Sequence, residues 1–324
     1  MQTFSLTCGR TIMKNLFKTS IITIGICFLL LFLKNQYACL LLTNSTYGMP
    51  ALIKQGSVQN LYIGSSMFKQ GLDIETLGEY NSYILSYNGN QPVFEFYQLK
   101  YLLDHGVQIE NLYVDMYVYS AWEDPKISDE KLFMEVSIPE KILLWDLIKK
   151  TSENNFQYLW RIWVNSNNEL ILTWPVSSPI INSQFLKGGS LNKPESISKD
   201  ALAHISIPPM AETMNSIQQF YINEIISLAE ENNINLLFIE TPKYESVTTD
   251  TSYLSAMVQY AHLLDTEDTA YILSENTKQY CQLSHAHSYS FDITEETYYA
   301  DTMHLSYNGR IVFTNILLNT LSSN

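Results

Sequence analysis

Apolar runs that end abruptly in polar turns set the strongest limit on what this chain can fold into. VQNLYIG (58–64), IENLYVDMYVYS (109–120) and INLLFIETP (234–242) place β-branched, aromatic or aliphatic residues side by side, so neither face of such a strand is left polar. A strand apolar on both faces needs cover on both, which a parallel sheet between two helical layers supplies. The intervening sequence has helical character. QPVFEFYQLKYLLDHG (91–106) carries Pro92 in its first turn and Gly106 just past its end. AETMNSIQQFYINEIISLAEENN (211–233) repeats apolar residues at Met214, Ile217, Phe220 or Tyr221, Ile225 and Leu228. The expected fold is α/β: a three-layer α/β/α arrangement around a parallel sheet. With 324 residues and a hydrophobic content of 46%, the chain has material for such a core and does not have the composition of a disordered one.

The first 34 residues contain Arg10, Lys14, Lys18 and Lys34 and no acid, and the apolar run IITIGICFLLLFL (21–33) lies behind that basic flank. With Leu16 and Phe17 before it and Tyr37 to Leu42 after it, the run approaches the roughly 20 residues that span a bilayer. Lys34, Asn35 and Gln36 follow Leu33 directly and offer no small-x-small cleavage site, so an uncleaved anchor is expected rather than a signal peptide. Bases on the N-terminal side put that end in the cytoplasm and the large domain outside. The chain thus divides into a cytoplasmic N-terminus with a transmembrane helix (1–44) and an extracytoplasmic domain (45–324), as in a single-pass protein of the cytoplasmic (inner) membrane. Taking the four early bases from 19 leaves 15 against 33 acids, a formal charge of −18 on residues 35–324. Such a field repels nucleic acid, which is excluded as a partner. Cys8, Cys27, Cys39 and Cys281 make neither a disulfide framework nor a Cys-x-x-Cys pair.

Residues 123–208 interrupt the regular pattern and read as an insertion or cap on the α/β core. They hold EKILLWDLIKK, FQYLWRIW and LILTWP, then a polar stretch from Ser177 to Pro209. Trp145, Trp160, Trp163 and Trp174 fall here. Each is expected first to pack a small subdomain; as a group they would also serve as platforms for a sugar or acyl chain.

Chemistry is concentrated at the two ends of the domain. Gly64-Ser65-Ser66 follows the first strand, and Asp301-Thr302-Met303-His304 enters the last helix, which Ser306 is placed to cap. A serine hydroxyl needs a base to take its proton, best a histidine oriented by a carboxylate. Asp and His three residues apart on a loop can meet through one ring nitrogen and leave the other for the serine. Two alternatives stand beside this. His285, His287, Asp292, Asp301 and His304 could gather round a metal, although no spacing fixes a third ligand. A non-catalytic module that positions a polysaccharide or a partner enzyme would also suit an exported domain.

YIGSSMF and DTMHLSYNG, with the helix HLSYNGRIVFTNIL behind the second, resemble the SGNH (GDSL-type) hydrolases and acyltransferases. The similarity is to the membrane-anchored extracytoplasmic branch with the D-alanyl-transfer and polysaccharide O-acetylation proteins, over roughly residues 58–120 and 211–321. It implies a flavodoxin-like α/β/α fold, with Ser66 as nucleophile, His304 as general base and Asp301 as its orienting carboxylate. It also implies oxyanion donors from the Ser66 amide and from ILSYNGNQP (84–92), a loop in which Ser86, Asn88 or Gly89 takes the role. The family's Gly-x-Asn-Asp block is absent; Asp115, Tyr117, Tyr119 and Ser120 stand in its place. The resemblance implies acyl transfer to a cell-envelope glycan or ester hydrolysis, through an acyl-Ser66 intermediate. A multi-pass membrane O-acyltransferase is the implied partner. No cofactor and no metal is expected.

Overall fold

A computed structural model describes residues 3–43, 48–78, 81–125, 135–136, 139–142, 188–190, 192–207, 210–283 and 286–322. The chain begins with α1 (Thr3–Thr43), one helix of 41 residues. Its stretch Met13–Lys34, 22 residues of mean hydropathy 2.3, is not buried against the rest of the protein. At ~1.5 Å per residue that stretch measures ~33 Å, enough by length and composition to cross a hydrocarbon core of about 30 Å.

The domain that follows contains α2 (Gly48–Gln55), β1 (Ser57–Gly64), α3 (Ser66–Gly71), β2 (Ser82–Ser86), α4 (Pro92–Asp104), β3 (Gln108–Asp115) and α5 (Val118–Trp122). After the 123–208 region come α6 (Ser216–Glu231), β4 (Asn235–Ile239), α7 (Thr251–Thr266), β5 (Tyr271–Ser274), β6 (His287–Tyr289) and α8 (Tyr307–Ser322). The six strands form one sheet in the order β2-β1-β3-β4-β5-β6, and every pairing is parallel. Helices cover both faces, the three-layer α/β/α arrangement that the apolar runs predict.

Alternation along the strands shows how the layers are held. On β1, Leu61 and Ile63 face a core built with Leu99 and Leu102 of α4, Ile222 and Ile225 of α6, and Met257 and Tyr260 of α7. Tyr62, between them, faces the opposite core with Phe68 of α3 and Phe313 and Leu317 of α8. There it stacks on Tyr113 of β3, its register partner, with ring centroids 4.5 Å apart.

Two expectations need correction. The strand expected over 109–120 ends at Asp115, and Val118–Trp122 turns into α5. Aromatic and β-branched residues bury as well in a helix as in a strand, and here Val118, Ala121 and Trp122 leave the sheet to fill the core beside α6. The stretch 84–92, expected as a loop, begins inside β2, and only its second half turns. The insertion at 123–208, with Trp145, Trp160, Trp163 and Trp174, lies largely outside the described residues. Gly188–Ser190 rejoins the core along the open edge of β2, where the Gly189 amide donates to the Ile84 carbonyl at 3.0 Å.

The strand order fixes where a site can be built. From β1 the chain goes to one side for β2 and to the other for β3. In open parallel sheets, the crevice outside the carboxyl ends of the strands at that reversal is where ligands bind. Ser66 follows β1, and Asp115 ends β3.

Candidate active site

Three residues make the turn at the end of β1, and each has a different job. Gly64 lies under the carboxylate of Asp115; a Cβ at this position would come 2.6 Å from Asp115 Cγ and Oδ2, so no side chain fits without movement. Ser65 is the N-cap of α3, with φ −88° and ψ −161°. Its amide and its hydroxyl both donate to Asp115 Oδ2, each at 2.8 Å, and its Oγ accepts from the Met67 amide at 3.2 Å. The Ser65 hydroxyl proton is therefore committed to Asp115. Ser66, the first residue of α3, is buried, and its Oγ lies 2.9 Å from His304 Nε2. The two adjacent serines are thus distinguishable: one caps, the other is presented to a base.

The base sits on the loop between Tyr299 and Leu305, which pair across an antiparallel bridge. Asp301 Oδ1 accepts from the Met303 amide at 2.7 Å and the His304 amide at 2.8 Å, and Oδ2 meets His304 Nδ1 at 2.8 Å. With Nδ1 donating to this carboxylate, Nε2 of the neutral ring is the acceptor facing Ser66. Ser306 closes the loop: its hydroxyl donates to the Thr297 carbonyl at 2.7 Å and accepts from the Gly309 amide at 3.2 Å. Gly309 is required because any side chain would run into the Tyr298 backbone. The Asp-x-x-His-x-x-x-x-Gly spacing is thus a loop, a cap and a close helix approach in one.

Burial and hydrogen bonding compete in the electrostatics of this edge. Burial raises the Asp301 carboxyl, but the hydrogen bond and charge of His304 and the Met303 and His304 amides outweigh it and hold the group below its ordinary value. Asp301 remains ionised beside the imidazole. Asp115 is pushed up to about 6 by burial, against the pull of the Ser65 amide and hydroxyl, the Lys243 charge and the Phe68 amide. Tyr117, just beyond β3, is held protonated first by burial and then by the carboxylates of Glu123, Asp115 and, more weakly, Asp301.

The residues expected to supply oxyanion donors separate in the structure. Ser86 ends β2 opposite Gly64, and its buried hydroxyl has no hydrogen-bond partner. Asn88 is exposed, and Gly89 takes a φ of +62° in the turn after β2. The Tyr87 amide donates to the Gly64 carbonyl at 3.1 Å, which seats this turn against the end of β1. His287 on β6 is exposed, Asp292 Oδ1 accepts from the Thr294 amide at 3.0 Å, and His285 lies outside the described residues. Among the described residues no three His, Cys, Asp or Glu side chains converge as a metal site. Sequence reasoning placed Asp115 only as an occupant of a missing block and missed its bonds to Ser65, because a strand read as running to Ser120 hides that β3 ends at Asp115.

Fold and site together define an α/β/α protein with a serine–histidine–aspartate array at the topological switch point. Comparison with family models finds no match, and comparison with curated proteins finds no significant similarity.

Proposed function

We propose that the chain is a membrane-anchored serine enzyme of the SGNH type, transferring or hydrolysing an acyl ester on a cell-envelope glycan. The observation that carries this reading is the hydrogen-bonded line Asp301–His304–Ser66, with 2.8 Å and 2.9 Å contacts at the carboxyl edge of the sheet. In the first step His304 Nε2 takes the Ser66 proton as Oγ attacks the acyl carbonyl. The imidazolium, held by Asp301, then gives that proton to the leaving alcohol, and the acyl group stays on Ser66. In the second step His304 takes a proton from a sugar hydroxyl or from water, which attacks the acyl-Ser66 ester and frees the serine. The Ser66 amide lies outside the hydrogen bonds of its own helix and is suited to donate to the oxyanion. Ser86 and the Asn88–Gly89 turn flank the same edge. An acyl group delivered by a multi-pass membrane O-acyltransferase fits the anchor of residues 1–44. The acidic domain outside the cytoplasmic membrane fits a glycan acceptor better than a polyanion.

The test is covalent labelling. A fluorophosphonate probe should label the full-length chain in detergent, and Ser66→Ala should abolish the label while Ser65→Ala keeps it. Labelling of Ser66→Ala at the wild-type level would remove Ser66 from the chemistry.

A further inference from the structure

Behind the three residues of the proposed reaction lies a second carboxylate that this reaction does not use. Asp115 ends β3, beside β1 in the sheet, and is 2% exposed. Its Oδ2 takes the amide and the hydroxyl of Ser65, each at 2.8 Å, and the Phe68 amide also acts on this carboxylate. These donors flank Ser66 on both sides. Oδ1 is buried and has no hydrogen-bond partner. A bare carboxylate oxygen in a protein interior is costly. A cap that served the fold alone would be built more cheaply from a neutral side chain, and costly buried charges concentrate where a site needs them.

We propose that Asp115 is a positioning residue: its ionised carboxylate clamps the turn between β1 and α3 so that Ser66 Oγ is held on His304 Nε2. The proposal rests on the serine chemistry above and adds a residue to it. A charged acceptor holds its donors about twice as strongly as a neutral one. One oxygen that accepts both donors of Ser65 fixes the backbone just before the nucleophile. The groups around Asp115 leave it as the charge carrier. Burial, and then Asp115 itself, push the carboxyl of Glu95, from α4, well above its ordinary value. Tyr260 of α7 and Tyr117 at the start of α5 stay neutral, raised first by burial. Lys243, after β4, is fully buried; burial weakens its hold on a proton, and the charges of Glu240 and Asp115 strengthen it. Its Nζ donates to the Thr241 carbonyl at 2.9 Å, and its charge acts on Asp115 without a direct ion pair.

The test uses the full-length chain in detergent, with turnover of p-nitrophenyl acetate and the rate of fluorophosphonate labelling as paired readouts. Asp115→Asn should lower kcat and the labelling rate by about 10²-fold, the effect of a reacting group displaced by roughly an ångström, with KM within about twofold of wild type. Ser65→Ala keeps the amide donor and should lose about tenfold at most, the worth of one ordinary hydrogen bond. The double variant should match Asp115→Asn alone, since both changes break one clamp. Acid inactivation should be second order in protons in wild type and first order in Asp115→Asn, the difference being the proton that Asp115 takes up. A role in folding alone would lower stability but leave kcat per folded molecule and the order in protons unchanged, and that result overturns the proposal. If Asp115→Asn does not fold, Ser65→Ala and the wild-type acid limb carry the test, and a first-order wild-type limb is then the refuting outcome. A wild type that labels and turns over alongside an equally active Asp115→Asn sinks the clamp and leaves the serine reading standing. A wild type that does neither sinks both.

Discussion

Asp115→Asn should change the stability of this protein in a pH-dependent way whose size follows from the site. Burial lifts the folded-state pKa of Asp115 from 3.8 to about 6, so the fold prefers its neutral form. The group is fully buried, and a difference of about two pH units corresponds to about 3 kcal/mol. This cost of holding the charge is absent below about pH 4 and complete above about pH 6, because a raised carboxyl pKa makes the fold lose stability as pH rises. The asparagine of the variant never carries the charge. It does bring an amide NH2 to the place of Oδ1, which has no partner, and a stranded donor costs ~1–3 kcal/mol. At pH 4 the variant should be the less stable protein by that amount. At pH 8 it should equal or exceed wild type, the difference between the two having moved by about 3 kcal/mol. Urea unfolding of both full-length chains in detergent, followed by tryptophan fluorescence at the two pH values, measures this. A stability difference that is the same at both pH values would refute the assignment of a buried, charge-bearing Asp115. So would a variant that gains on wild type as the pH falls.

Other consequences are simpler. Asp301→Asn should lower kcat on the order of 10³-fold or more by turning His304 to the wrong tautomer, with little change in thermal stability; an active variant would mean that the imidazole is oriented by something else. Gly64→Ala forces a Cβ to 2.6 Å from the Asp115 carboxyl and should cost ~1–3 kcal/mol as overpacking, together with most of the activity, read by thermal unfolding and turnover. The rate should rise with pH as Asp115 ionises near its folded-state value of about 6, and EDTA should leave it unchanged; loss of turnover on chelation would favour metal chemistry. A reporter fused after Asn324 should be extracytoplasmic, and the chain should stay with membranes after a high-salt wash.

What could be read from the sequence was what local spacing determines. Asp301 and His304 are three apart on one loop, and their contact depends on little beyond that loop and its closure by Ser306. Gly64-Ser65-Ser66 announces a strand-to-helix turn for the same reason. The apolar runs at 58–64 and 234–242 revealed two strands of the parallel sheet because their composition leaves neither face polar. β2, β5 and β6 were harder: runs of 5, 4 and 3 residues are too short for composition to separate strand from loop. IENLYVDMYVYS looked like one strand because aromatic and β-branched residues suit both β3 and the buried helix α5. The clamp on Ser65 was beyond local reading altogether. It joins residues 50 positions apart and exists only through the pairing of β1 with β3 in which Ile63 sits opposite Val114.

The central claim is that Ser66 carries the acyl group. Acid-quenching the full-length protein during turnover of p-nitrophenyl acetate, followed by peptide mass spectrometry across residues 58–72, tests it most directly. An acetyl group on Ser66 that builds up in Asp301→Asn and never appears in Ser66→Ala is the predicted result. Acetylation of Ser65 instead, or undiminished turnover by Ser66→Ala, would contradict the account.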